Sequence, residues 1–169
     1  MIILAFFFAH WYLSLFCQTF FLHRYAAHKM FTMNKAWERF FHGLTWVAQG
    51  SSYLNPRAYA ILHRMHHAYS DTEKDPHSPH HASNAFTMMQ KTKKIFTDFV
   101  HYRVKPEPRF DREFPAWPQL EKVADNWFSR IAWGTFYVLV YMAAYKYLDM
   151  HWAFFFLLPI HFLMGPVQG

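Results

Sequence analysis

The sequence has little cysteine, little glycine and, at its amino-terminal end, no charge. Its one cysteine, Cys17, excludes an internal disulfide and a Cys-x-x-Cys redox or zinc motif. The five glycines are scattered, so a glycine-rich phosphate-binding loop is excluded too, and no Ser-His-Asp pattern is recognisable. Residues 1–22 contain no Asp, Glu, Lys or Arg. What remains to carry chemistry is a set of 13 histidines between long apolar segments.

Apolar and basic residues are segregated along the chain. Hydrophobic residues make up 53% of it and aromatic residues 22%, yet the mean hydropathy is close to zero. Sixteen of the 17 Lys and Arg residues lie between Arg24 and Arg130. The positive-inside rule therefore predicts that this middle segment is cytoplasmic. The net charge of +6 comes with no recognition motif, so nucleic acid is not expected as a partner.

Three segments are long and apolar enough to cross a membrane, which takes about 20 residues in a helix. The first, 1–22, lacks the basic start and the cleavage site of a signal peptide, so it predicts a retained span. The other two, 127–148 and 151–169, predict a transmembrane hairpin. Residues 23–126 would then be a cytoplasmic histidine-box region. The expected fold is an all-α integral membrane protein with transmembrane helices and a cytoplasmic, histidine-rich helical cap.

Within the cap, residues 34–50 predict an amphipathic helix in the membrane interface. Its apolar positions recur at helical spacing: Trp37, Phe40, Phe41, Leu44, Val47 and Ala48. His42 belongs to the polar side and is expected to be solvated. His161, in the last span, is expected to face protein or a cavity, because a polar group at membrane depth avoids lipid.

The stretch "HRMHH" places His63, His66 and His67 at spacing i, i+3, i+4. On a helix these side chains project from one face. A solvated face would normally mix Lys, Glu and Gln, so three imidazoles at this spacing indicate a metal-ligand set.

A second pair, His23 and His28, lies in "HRYAAH" at the end of the first span. On a regular helix, spacing i, i+5 puts the two side chains about 140° apart. The pair would not bind one ion together without a local distortion, and could instead reach two neighbouring ions. The two sets predict a metal centre with five histidine ligands.

Imidazole ligands with few carboxylates suit iron, zinc or copper, and the residues alone do not separate these metals. Asp71, Glu73 and Asp75 are candidates to accept a hydrogen bond from a ligand ring, or to serve in turns. His77, His80 and His81 follow prolines in irregular chain. They are expected on the surface or as supports around the ligands rather than as ligands, and His77 is a candidate for such a support.

The two histidine motifs resemble those of membrane fatty acyl desaturases. "HRYAAH" is similar to the HxxxxH box and "HRMHH" to the HxxHH box, and "SDTEKDPHSP" resembles the continuation in the acyl-CoA, Δ9-like branch. The resemblance implies a di-iron site with His23, His28, His63, His66 and His67 as ligands. The family's further histidine and third box are absent before Gly169. The chain is therefore expected to be a fragment that is inactive alone.

The resemblance also implies an activity, O₂-dependent formation of a cis double bond in a saturated acyl chain, at the Δ9 position by analogy. Expected partners are O₂, membrane lipid and a ferredoxin- or cytochrome-type electron donor. A basic loop with Lys91, Lys93 and Lys94 could attract such a donor, and the favoured alternative is an ordinary solvated loop that follows the positive-inside rule. Tyr59 stands where the family places an aromatic residue along the acyl tunnel, and ordinary interfacial packing is the alternative.

The sequence does not identify the carrier of the acyl group. Ile61 and Leu62 stand where animal acyl-CoA members carry charged residues, so CoA, acyl carrier protein and a lipid are alternatives. The expected location is the inner membrane if the source is bacterial, with the metal site on the cytoplasmic side. Two other functions fit the histidine motifs, a related di-iron hydroxylase and a non-catalytic membrane metal binder.

Overall fold

The computed structural model describes residues 2–80 and 82–168, and within these residues it contains helices and no strands. The chain begins with α1 (Ile2–Cys17), which continues as a π-helical segment (Gln18–Ala27). Of the helices in the described residues, Ile2–Ala27 alone has the length and the apolar composition that crossing a membrane requires. The helix extends beyond the predicted boundary at residue 22 and so includes His23.

The remaining helices follow in chain order. They are α2 (Lys35–Gln49), α3 (Pro56–Tyr69), α4 (Ala85–Val100), α5 (Pro118–Ala124), α6 (Trp127–Tyr147), α7 (Leu158–Phe162) and α8 (Met164–Gln168), with 3₁₀ turns at Gly50–Ser52 and Trp152–Leu157. The chain forms two compact units. We call the unit made of Met1–Phe21, Asn34–Leu54 and Trp117–Gly169 the helical unit, and the unit made of Leu22–Met33 and Asn55–Ala116 the histidine unit.

The helical unit has a polar interior along α1. Three buried residues spaced four apart are polar: His10 and Ser14 of α1, and Gln18, which begins the π-helical segment. His10 Nδ1 lies 2.6 Å from Nδ1 of His161, whose Nε2 lies 2.9 Å from the hydroxyl of Tyr141. His161 is fully buried, which confirms that it faces protein. Since buried polar groups need hydrogen-bond partners, these contacts fix how α7 packs against α1.

Helix α2 has the two faces that the sequence predicts, and part of its polar face is buried. Its predicted apolar face is largely exposed, with Trp37 at 54% and Phe40 at 53%, whereas polar residues of the opposite face are buried. His42 is only 1% exposed, so the expectation that it is solvated is wrong. Its Nε2 lies 2.9 Å from the hydroxyl of Tyr53, and burial lowers its pKa to about 4. The location of α2 in a membrane interface remains a prediction.

Residues 151–168 do not form the single spanning helix that the sequence predicts for 151–169. They form a 3₁₀ stretch, α7 and α8, with a turn at Leu163. Pro159 and Pro166 lack the N–H group that a continuous helix needs, and each lies in the first turn of its short helix. Helix α6, in contrast, is continuous over 21 residues, and its place in a membrane remains a prediction.

The histidine unit places α3 against α4. Asn55 caps α3 by accepting the N–H of Ala58, and Pro56 starts the helix with the φ angle that a first turn needs. A core of four buried residues joins the two helices to the loop that follows α4, and its members are Ala58, Ile61, Phe99 and Phe110. This packing anchors α3 on the face away from His63 and His67.

Candidate metal centre

The first histidine pair lies in π-helical backbone. The His28 N–H donates to the His23 carbonyl oxygen at 3.0 Å, an i→i+5 bond, and Gln18–Ala27 is π-helical. Such a bond brings residues five apart onto neighbouring turns, as an α-helix does for residues four apart. The Nε2 atoms of His23 and His28 consequently lie 3.2 Å apart. The distortion that the HxxxxH spacing requires is therefore present, and the pair can reach the same point.

The second set contributes two imidazoles to the same group. His63 and His67 lie one turn apart on α3, and their Nε2 atoms are 3.0 Å apart. His63 Nε2 is also 3.0 Å from Nε2 of His28. One nitrogen from each of His23, His28, His63 and His67 lies within 4.8 Å of the others. Four nitrogens from two chain segments thus converge on one small volume.

His66 does not belong to this group of four. Its Nδ1 lies 2.9 and 3.0 Å from the two carboxylate oxygens of Asp75. The sequence predicts that His63, His66 and His67 converge as one set. The structure brings two of them together with the first pair and holds the third by a carboxylate.

Asp75 is completely buried and well supplied with hydrogen bonds. Besides His66, it accepts the backbone N–H of His77 at 2.8 Å and that of Asp71 at 3.1 Å. Burial alone would raise the pKa of this carboxyl, but the bonds from His66, His77 and Asp71 lower it below its ordinary value. An ionised Asp75 fixes the orientation of the His66 ring through Nδ1 and leaves Nε2 of that ring available to bind a metal ion.

The other candidate supports lie farther from the ligands. The Asp71 carboxylate is 64% exposed and lies beside His80, so Asp71 acts on Asp75 through its backbone N–H and not through its side chain. His77 Nδ1 lies 3.1 Å from the Thr92 hydroxyl, and the ring centroid is 6.0 Å from that of His66. His81 lies outside the described residues.

The electrostatics of the group of four suit metal binding. Burial, and after it the neighbouring imidazoles, lowers the pKa of His63 to about 3. Burial, followed by His23, His67 and Arg64, also lowers the pKa of His28. Neutral imidazoles present lone pairs, which is the form that binds a metal.

Tyr59 lies one turn before His63 on α3. The two rings are stacked, with centroids 5.6 Å apart and an angle of 9° between planes. Burial raises the pKa of Tyr59 to about 12, so its hydroxyl stays protonated. The contact restricts the orientation of the His63 ring. A role of Tyr59 along an acyl tunnel remains a prediction.

Sequence reasoning missed one residue at the centre of this arrangement. Arg64 lies between two histidines of the second motif, and its guanidinium donates to the carbonyl oxygens of Ala26 and Ala27. The signal available in the sequence was a permanently charged residue, Arg64, between histidines that are expected to bind metal in their neutral form. Its contacts with backbone oxygens distant in sequence are visible only in the folded chain.

The donor set fits a first-row transition metal. Four neutral imidazole nitrogens within 4.8 Å of one another suit iron, zinc or copper, and hard cations such as calcium prefer oxygen ligands. The Asp75–His66 pair beside them has the carboxylate–histidine form that commonly supports metal ligands.

Comparison with known proteins gives the family. No curated protein and no solved structure matches the chain at a significant level. A family model described as fatty acid desaturase matches residues 1–168, and the chain therefore belongs to the fatty acid desaturase family.

Proposed function

We propose that the protein is an O₂-dependent, di-iron fatty acyl desaturase that introduces a cis double bond at the Δ9 position of a saturated chain. The observation that carries the proposal is the convergence of four imidazoles from both histidine motifs, in a chain of the desaturase family. Family membership supports an oxidoreductase that acts on a fatty acyl substrate with O₂. The π-helical first motif supports the further step, since it makes the HxxxxH spacing competent to bind one ion.

The chemistry sets the requirement for metal. Two bound iron ions supply the activation of O₂ that the removal of hydrogen from an unactivated methylene needs, which no side-chain acid or base can provide. The reaction balances when two substrate hydrogens, two electrons from a donor and two protons reduce O₂ to two waters. His23, His28, His63 and His67 would hold one ion, and His66, oriented by Asp75, would bind the second.

The exposed apolar surface of the helical unit supports a membrane location. Large apolar side chains lie outside, including Phe8, Phe40 and Phe136, while His10, His42 and His161 are buried. A helix long enough to span, Ile2–Ala27, ends within the first histidine motif. We place the metal centre on the cytoplasmic side, at the inner membrane if the source is bacterial, where the excess of Lys and Arg is expected.

The residues around the centre suggest how substrate and electrons arrive. Tyr59, stacked on His63, would line the acyl chain near the reacting carbons. Lys93 and Lys94 are exposed on α4 and would attract an acidic ferredoxin- or cytochrome-type donor. The acyl group would be carried by CoA, acyl carrier protein or a lipid, and the assay below separates these carriers.

The test uses the protein expressed from its complete reading frame, in membranes supplied with NADPH, a reductase and ferredoxin. Stearoyl-CoA, stearoyl-acyl carrier protein and a stearoyl lipid are offered in turn, and double-bond position is read by mass spectrometry. We expect O₂-dependent Δ9 product with one carrier and two iron ions per chain. His66→Ala should abolish the product and leave membrane insertion intact, whereas His80→Ala, at an exposed histidine outside the group of four, should retain it.

Three outcomes would contradict the proposal. A hydroxylated product would indicate a hydroxylase. Zinc without O₂ consumption would indicate a metal binder. Appreciable unsaturated product from His66→Ala would refute the assignment of that ligand.

A further inference from the structure

We propose that Arg64 is a positioning residue that sets the first histidine motif against the second. The proposal rests on the metal centre proposed above, and it concerns how the four imidazoles are brought to their positions. Arg64 lies in α3 beside His63 and three residues before His67, so it moves with two of the ligands. Its guanidinium donates to backbone oxygens of two other segments of the histidine unit.

The first of these segments is the end of the π-helix. The last carbonyl groups of a helix have no partner within it and must find one elsewhere. The Arg24 oxygen accepts the N–H of Met30, while the Ala26 and Ala27 oxygens accept the Arg64 guanidinium, at 2.9 and 2.8 Å. Ala26 and Ala27 are 0% and 4% exposed, and Arg64 itself is half-buried. His28 is the next residue in the chain.

The second segment is the loop after α4. The remaining guanidinium nitrogen, Nη1, donates to the carbonyl oxygens of Phe110 and Arg112, at 3.1 and 2.7 Å. The Phe114 ring lies 5.0 Å from the guanidinium carbon. Four carbonyl oxygens therefore surround one planar group. Only a guanidinium carries enough donors in a fixed fork to bind them together, and lysine has a single nitrogen.

The hydrogen bonds of Arg64 to these four carbonyl oxygens, which we call the Arg64 clamp, act on the position of the candidate ligands. His28 Nε2 must stay near Nε2 of His63, and the two residues belong to different segments. Arg64 is bonded to the residue before His28 and is itself the residue after His63. Loss of the guanidinium would free the helix end to shift, and His28 would shift relative to α3.

The same helix offers a matched control. Arg57 lies seven residues earlier in α3 and binds the loop through Asp111, at 2.8 Å, and the last turn of α4 through the Phe99 carbonyl oxygen, at 3.1 Å. It belongs to the same unit and also joins α3 to the segment around the loop, but it binds Asp111 and Phe99 and not the end of the π-helix. Arg57→Lys therefore loosens the loop and spares the connection between the motifs.

The test compares Arg64→Lys with Arg57→Lys in the purified full chain, in detergent. Co²⁺ is titrated as the probe, and its visible absorption reports coordination. We expect Arg64→Lys to weaken Co²⁺ binding by about 10- to 100-fold and to alter the absorption bands, as loss of an outer support does. Arg57→Lys should stay within about twofold of the unsubstituted chain. In a His28→Ala background the effect of Arg64→Lys should largely vanish, because it acts through that ligand.

A second measurement separates this inference from the proposed function. Hydrogen exchange at the backbone amides of His28 and Met30 should be about tenfold faster in Arg64→Lys and unchanged in Arg57→Lys. If the unsubstituted chain binds no Co²⁺, the proposed metal centre is wrong. The exchange rates still show whether Arg64 holds the end of the π-helix. Unchanged exchange and unchanged affinity in Arg64→Lys would overturn the inference. It would also be overturned if Arg64→Lys and Arg64→Gln both failed to fold while Arg57→Lys folded, because the role would then be folding alone.

Discussion

The two units contain histidines in opposite settings. In the helical unit, His10 and His161 are buried and face each other at 2.6 Å, and each ring's other nitrogen meets a tyrosine hydroxyl, at 3.5 Å from Tyr137 and 2.9 Å from Tyr141. In the histidine unit, Nε2 of the central imidazole, His63, lies within hydrogen-bond distance of the Nε2 atoms of His28 and His67. A ring whose nitrogens both have complementary partners is explained by packing. Two facing imidazole nitrogens, as in His10 and His161, can share one proton in a hydrogen bond. His63 Nε2 instead faces the Nε2 atoms of both His28 and His67, and one proton cannot link three nitrogens, so this convergence distinguishes the candidate ligands from the structural pair.

The largest expected effect tests this distinction at its centre. His63→Ala removes the imidazole whose Nε2 lies 3.0 Å from those of both His28 and His67. We expect metal binding by the group of four to weaken by more than the roughly 100-fold that loss of an outer support costs. His161→Ala, in the other unit, should leave metal stoichiometry unchanged. It should instead lower the free energy of unfolding by about 1–3 kcal/mol, because Tyr141 loses its buried partner.

Metal analysis and thermal unfolding of the two variants check this pair of expectations. Metal loss in His161→Ala, or full metal content in His63→Ala, would remove the distinction between structural and ligand histidines.

The next effect concerns pH and the buried His42 of the helical unit. Burial lowers its pKa from 6.5 to about 4, with Glu38 raising it and Lys35 lowering it by smaller amounts. The unfolded chain therefore takes up the proton first as pH falls, and stability is lost between about pH 6.5 and pH 4. At about 1.4 kcal/mol per pH unit, the loss from this residue approaches about 3 kcal/mol.

The measurement is denaturant unfolding in micelles at several pH values. His42→Gln does not titrate, so its stability should fall less on acidification than that of the unsubstituted protein, by most of this amount. His80→Gln, at an exposed position, is the control and should preserve the full acid sensitivity. If the free energy of unfolding depended on pH identically in His42→Gln and the unsubstituted protein, His42 would not be buried as described.

Some of this architecture could be predicted from residue spacing and some could not. The i, i+4 spacing of His63 and His67 is sufficient to place them on one face of a helix, and they lie there. The HxxxxH pair needs a π-helix, and a 3.6-residue period gives no sign of one. Pro159 did signal a break in the last apolar segment, although length and apolarity suggested a single span.

The burial of His42 illustrates a different kind of limit. The helical period separates the two faces of α2 correctly, but it does not show which polar residues pack against the rest of the unit. Phe40 is 53% exposed and His42 is 1% exposed, the reverse of the arrangement expected in water. Arg64 was missed because its partners, the Ala26 and Ala27 oxygens, are backbone atoms that no side-chain motif records.

The smallest expected effect concerns two candidate ligands within the histidine unit. His63 lies among other imidazoles, whereas His66 is oriented by the Asp75 carboxylate. Asp75→Asn keeps an oxygen for the His77 N–H but loses the charge that fixes the ring of His66. We expect the affinity for the second iron to fall about 10- to 100-fold, with the first iron retained, in the protein from the complete reading frame.

Asp71→Asn is the matched control for this substitution. It changes a carboxylate that is 64% exposed and preserves the backbone N–H that Asp71 donates to Asp75, so iron affinity should stay within about twofold of the unsubstituted value. Equal losses in both variants would mean that general negative charge near the centre attracts the metal. A loss confined to Asp75→Asn would mean that the carboxylate acts by orienting one ring, because the two substitutions remove the same charge four residues apart.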